Sequence, residues 1–251
     1  MGEQQNGRMP TFQHGDARIH YAEHGTGFPV LTLAPGGMRS AGDWWAKMPW
    51  NPVAELAGTH RVITMDQRNA GASTAPVTGT ESWATYAGDQ LGLLDHLGIE
   101  RCHVVGMCIG GAFIASLLTT APERFANAVA LQPIGLDGSG DDGGNRAAFH
   151  EMFDGWVEEQ LPAHPEAGPE QWAAYRSALY DSVHPLFSVP TEALAGITHP
   201  MLVLRGNDQY HPAAASELLA TTVPGARLIE QWKDDANLPA ATAAIAEFLA
   251  A

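Results

Sequence analysis

The sequence predicts a single large α/β domain, and three observations carry that expectation. Short runs rich in β-branched residues alternate with runs of helical spacing, as in Arg61–Asp66, Trp83–Leu97, Cys102–Val105 and Ala112–Leu118. Two of these runs are joined by Gly106-Met107-Cys108-Ile109-Gly110-Gly111, which reads as strand, sharp turn and helix. Finally, 251 residues of which 45% are hydrophobic and only 16% charged supply enough material for one buried core.

Composition narrows the function classes. A formal net charge of −15 repels phosphate backbones and anionic headgroups, which argues against nucleic-acid and membrane partners and for a small-molecule substrate. Met1 to Pro10 is polar, and no run of eighteen apolar residues occurs, so a cytoplasmic protein is expected, as monomer or homodimer. Cys102 and Cys108 would lie roughly 20 Å apart along one strand and its turn, beyond disulfide reach. Two free thiols suit a reducing compartment, and no cluster of Cys and His has metal-ligand spacing.

In chain order, Thr11–Asp16 and Ala17–Glu23 read as strands joined by a tight turn at Gly15-Asp16. Pro29–Leu33 is an apolar run fit for a buried strand and ends in Ala34-Pro35-Gly36-Gly37, where glycines free backbone N–H groups to point outward. Arg61–Asp66 is the next strand and runs into Gln67-Arg68-Asn69-Ala70-Gly71. Trp83–Leu97 has helical spacing and stops at Gly98; the adjacent Asp95-His96 cannot face each other on a helix and is read as solvent-facing or packing. Ala126–Leu131 is strand-like and leads to Gln132-Pro133. Gly138–Gly144 reads as a flexible acidic loop, and from Asn145 to about Pro190 the pattern is helical and rich in aromatics. Pro200–Leu204 is a strand followed by Arg205-Gly206-Asn207-Asp208, with a helix starting near Pro212. Arg227–Trp232 reads as the last strand and Leu238–Ala250 as the last helix.

A turn as tight as Gly106-x-Cys108-x-Gly110 brings backbone against backbone, and small residues two before and two after the central one make that possible. With these residues the chain resembles the α/β-hydrolase family, in a version with cysteine in place of the serine nucleophile. The segment Asp66-Gln67-Arg68-Asn69-Ala70-Gly71 resembles the family's D-x-R-G-x-G, with Asn69 where glycine is usual. The resemblance covers nearly the whole chain. It implies a mostly parallel central sheet with helices on both faces, a core of residues 1–133 and 196–251, and a helical cap at 134–195 over the site. It further implies Cys108 as nucleophile, an oxyanion hole from the N–H groups of Ile109 and of Gly36 or Gly37, and Asp208 as the acidic triad member. The family's histidine is expected between the last strand and last helix, where Asp235-Ala236-Asn237-Leu238-Pro239 puts Asn237, a residue that cannot accept a proton near neutral pH.

Three readings of that departure stay open. His211, three residues after Asp208, could be oriented by it and serve as base, with His150 and His184 as weaker candidates. A thiol at a helix N-terminus could instead hold a reactive thiolate unaided. Or the scaffold could have left hydrolysis for a lyase, cyclase or ligand-binding role. The leading expectation is a hydrolase of an ester, thioester or lactone of a small apolar metabolite, using Cys108, Asp208 and His211, with no cofactor and no metal. A histidine base predicts loss of rate below about pH 6 to 7.

Overall fold

A computed structural model describes residues 10–139 and 144–250. The N-terminal stretch before Pro10, and the centre of the loop expected to be flexible at Gly138–Gly144, lie outside the described residues. One eight-stranded sheet organises the chain: β1 Thr11–His14, β2 Ala17–His24, β3 Phe28–Leu33, β4 His60–Met65, β5 Cys102–Met107, β6 Phe125–Leu131, β7 Met201–Leu204 and β8 Arg227–Ile229. Their spatial order is β1-β2-β4-β3-β5-β6-β7-β8, antiparallel across the first two pairings and parallel from β4 to β8.

The strand sequences explain why both faces are covered. Val30, Val62, Val105, Val129 and Leu202 point to one side, while Leu31, Ile63, Val104, Ala130 and Val203 point to the other, and all are fully buried. A strand that is apolar at every position has no face to give to water, so helices must pack on both sides. Helices α1 (Pro52–Leu56) and α8 (Leu238–Ala250) cover the first face; α2 (Trp83–His96) and α3 (Ile109–Thr120) cover the second. Helix α2 ends where expected, with Gly98 left-handed at φ 65°. At its end Asp95 pairs with Arg124 and His96 stacks on Phe12, so this acid and base serve surface and packing roles.

Between β6 and β7 come α4 (Arg146–Gln160), α5 (Pro169–Tyr180) and α6 (Thr191–Ala195). Phe149, Phe153, Trp156, Tyr175 and Tyr180 are all fully buried and meet one another edge-to-face or stacked, so the aromatic spacing builds a core shared by α4 and α5. Helix α7 (Ala213–Thr222) follows β7 and opens on Pro212 as its N-cap.

The final strand is shorter than the expected Arg227–Trp232. It stops at Ile229 because its one neighbour, β7, ends at the paired Leu204, and no ladder partner remains. Trp232 turns inward instead, is 2% exposed, and donates its indole N–H to the Arg205 carbonyl at 2.9 Å.

The turn after β5 depends on close approach. A Cβ on Gly106 would lie 2.6 Å from the Gly110 carbonyl oxygen, a backbone atom that cannot step aside. Gly106→Ala is expected to destabilise the fold by about 1–3 kcal/mol, the usual cost of overpacking. Urea unfolding checks this, and an unchanged midpoint would mean that the turn opens freely.

Candidate active site

Cys108 sits on the turn between β5 and α3 with φ 61° and ψ −117°, a backbone conformation that costs a non-glycine residue of order 1–3 kcal/mol. Three hydrogen bonds hold it there. Its N–H donates to the Leu131 carbonyl at 3.0 Å, and its own carbonyl accepts from Gly111 at 3.0 Å and Ile134 at 3.1 Å. Strain of this kind turns the side chain out of the strand–helix path and into a cavity.

The loop after β7 supplies the partner. Asp208 Oδ1 accepts from the backbone N–H groups of Tyr210 and His211, both at 3.0 Å, which wraps the loop around its own carboxylate. The same carboxylate meets His211 Nδ1 at 2.8 and 2.9 Å. Nδ1 therefore carries the proton toward Asp208, and Nε2, the remaining ring nitrogen, is left for the sulfur. Nε2 is buried and has no hydrogen-bond partner among the described residues, and His211 shares a cavity with Cys108.

The electrostatics of the pair are mutual. Burial pushes the Cys108 thiol up, but His211 and the backbone N–H groups of Gly36 and Ile109 more than offset it, and the thiol ends below its ordinary range. Burial pulls His211 down, yet the Cys108 sulfur and Asp208 carry it up to about 9. Burial raises Asp208, but His211 and the backbone N–H groups of Tyr210 and His211 together more than offset it, and the carboxyl ends below its ordinary range. Cys102, buried in β5 without such partners, is pushed up to about 12 and is inert by comparison.

The two N–H groups at the sulfur come from different elements. Ile109 opens α3, and Gly36 follows β3 with φ 116°, while Gly37 continues at φ 58°. Both glycines are in left-handed backbone conformations that turn the loop over the cavity, where both line it, and the Gly36 N–H is one of the groups that lower the thiol. Gly37 lies beside Met152 of α4, where a Cβ would come within 2.6 Å of Sδ. Asn69, in the position where the related segment has glycine, adopts φ 58° and its Oδ1 accepts from Ala75 N–H at 2.7 Å, which supports the loop without reaching the cavity.

Cys108 and His211 line a cavity of about 290 Å³, walled by Trp44, Met48, Ile134, Phe149, Met152 and Tyr180, with Tyr210 beside the histidine. A larger groove of about 740 Å³ elsewhere carries the Arg39–Glu159 ion pair and no cysteine, so its size does not make it the reactive site. The other histidine candidates fall away from Cys108: His150 pairs with Asp181, and neither it nor His184 lines the 290 Å³ cavity. Asn237 is also outside that cavity, with its amide donating to Asp234 at 2.9 and 3.0 Å.

Gln132, Trp44, Met48 and Tyr210 line the cavity without having been singled out as site residues from the sequence. A signal for Gln132 exists in the register: Met107 pairs with Leu131, so the residue after each strand end, Cys108 and Gln132, are neighbours. Among the described residues, no group of three or more His, Cys, Asp and Glu could hold a metal ion, and no helix is long and apolar enough to cross a membrane.

Known proteins resemble this chain in both sequence and fold. It is 34% identical over 124 residues to 2-hydroxy-6-oxo-6-phenylhexa-2,4-dienoate hydrolase of Comamonas testosteroni, covering 49% of this chain and 43% of that one. It is 26% identical over 234 residues to 2-hydroxymuconate semialdehyde hydrolase of Pseudomonas sp. strain CF600, covering 84% and 81%. The matches of higher identity thus span less than half the length of those curated relatives. The enol-lactonase of Burkholderia xenovorans LB400 superposes with a TM-score of 0.71 at 22% identity, covering 96% of this chain and all of that one, and shares the fold. The model of the alpha/beta hydrolase fold matches residues 29–170, and the chain belongs to the α/β-hydrolase fold family.

Proposed function

We propose that the protein hydrolyses an ester, thioester or lactone of a small, apolar metabolite through a Cys108–His211–Asp208 triad. The observation that carries this reading is geometric: His211, held by Asp208 at 2.8 Å through Nδ1, lines one apolar cavity with Cys108, and the lowered thiol and raised imidazole accord with it. The hydrolase names of the two relatives support hydrolytic chemistry on small molecules. Helices α4 to α6 act as the cap, because Phe149, Met152 and Tyr180 close the cavity over Cys108.

In this mechanism the Cys108 thiolate attacks the carbonyl carbon while the C=O π pair moves to oxygen. The N–H groups of Gly36 and Ile109 hold the oxyanion, each donor contributing roughly 3 to 4 kcal/mol in related chemistry. Collapse of the tetrahedral species expels the alcohol or thiol, which takes the proton from His211 Nε2 and leaves Cys108 as a thioester. Neutral His211 then removes a proton from water, the hydroxide attacks the thioester, and the carboxylic acid departs with the thiolate and imidazolium restored. Asp208 keeps Nδ1 protonated throughout. The cavity, near the lower end of ligand-pocket sizes, favours a small substrate.

Intact mass after mixing with 4-nitrophenyl butanoate tests the reading. A butanoyl adduct is expected on the native protein and not on Cys108→Ala. An adduct that persists in Cys108→Ala, or neither an adduct nor release of 4-nitrophenol with the native protein, would sink it.

A further inference from the structure

Gln132 follows β6 directly and adopts φ 37°, unusual for a residue with a side chain. Its surroundings pin it there. Its N–H donates to the Leu204 carbonyl at 2.7 Å, and the next residue, Pro133, packs so closely on Gly111 that a Cβ there would lie 2.4 Å from the proline ring. A strained residue over-determined by its neighbours, beside a nucleophile, points to a role for its side chain.

The side chain's orientation follows from its partner. Lys233 Nζ lies 3.1 Å from Gln132 Oε1, and an ammonium can only donate, so the amide oxygen faces lysine and the amide Nε2 faces the other way. Gln132 lines the cavity with Cys108 and His211, and among the described residues its Nε2 donates to nothing. Apart from the reacting groups, the walls are mostly apolar, so one polarised N–H donor stands among carbon surfaces. Lys233 itself has no carboxylate partner among the described residues, which leaves its charge to act through the amide.

We infer that Gln132 is a specificity determinant that binds a neutral oxygen acceptor of the substrate, such as a second carbonyl, and that Lys233 is the positioning residue behind it. The inference rests on the acyl-transfer reading and names its substrate class more closely: an ester, thioester or lactone bearing an acceptor besides the scissile carbonyl. A carboxylate is disfavoured there. Moving it out of water costs several kcal/mol, and one amide N–H with the ammonium an amide's width away cannot offset that.

The test compares kcat/KM for phenyl 3-oxobutanoate and phenyl 4-oxopentanoate with that for phenyl butanoate and phenyl pentanoate, read as keto-to-alkanoate ratios so that general losses cancel. Gln132→Leu is expected to lower the ratio about tenfold for at least one pair, the size of one hydrogen bond. Lys233→Met lowers it by a smaller factor, and Lys233→Arg restores part of it. Ratios unchanged in Gln132→Leu would overturn the proposal. If the native protein acylates with none of these esters, the acyl-transfer reading fails separately. Binding then decides, by NMR titration of Cys108→Ala with cyclohexanone and methylenecyclohexane, which differ in the acceptor alone. A preference for the ketone that disappears when Gln132→Leu is added upholds the donor role, and a preference that persists removes it.

Discussion

Cys108→Ala is expected to lower kcat by on the order of 10^5-fold or more, because the loss of a nucleophile removes a whole reaction path and not one contact. A second readout separates this from mere damage to the cavity. His211 is held up at about 9 chiefly by the Cys108 sulfur, with Asp208 adding to it. Without the thiolate that contribution vanishes, so the imidazole titration, followed by NMR of the ring protons, should move downward in Cys108→Ala. An unmoved titration would mean that sulfur and ring do not interact, and the pair would have to be abandoned. Cys108→Ser is expected to be poor for the same reason. A hydroxyl does not ionise in this range, so the resting ion pair is lost and His211 must take the proton during attack.

His211→Gln is expected to reduce kcat/KM about 10^2- to 10^4-fold, the span of general acid–base catalysis. It should also slow alkylation of Cys108 by iodoacetamide at neutral pH. The sign follows from the causes: His211 lowers the thiol, so its removal lets burial raise the thiol again and the thiolate fraction falls. For the native protein, kcat/KM on alkyl esters should rise with pH as the thiolate forms and fall again through about 9. Above that pH His211 has lost the proton that the leaving alkoxide needs. With a 4-nitrophenyl ester the leaving group needs no proton, and the alkaline fall should flatten. The two apparent values belong to the coupled pair and not to either residue alone. A fall below about pH 6 to 7 set by the histidine is therefore not expected for kcat/KM. It belongs to hydrolysis of the acyl-enzyme, in which Cys108 is no longer anionic and His211 must be neutral. Adding Asn237→His to His211→Gln should restore nothing, since position 237 faces Asp234 and not the cavity.

The elements that carry the site were legible because their causes are local. The apolar runs of β3, β5, β6 and β7 announce a sheet buried on both faces, and the glycines two before and two after Cys108 announce the turn. The position of Asp208 just past β7, where the resemblance puts an acid, was legible as well. The end of β8 was not, since where a strand stops depends on where its neighbour β7 runs out of paired residues.

By itself, then, the sequence determined the α/β class, the strained turn with Cys108 at its centre, and the strand ends around it. These follow from the period of the side chains and from what glycine permits over a few residues. Only the tertiary structure decided that His211 lines one cavity with Cys108 while Asn237 does not, and that Lys233 stands behind Gln132, 101 residues earlier in the chain. Such pairings depend on the register of parallel strands and the course of the loops between them, which bring together groups that no local pattern relates.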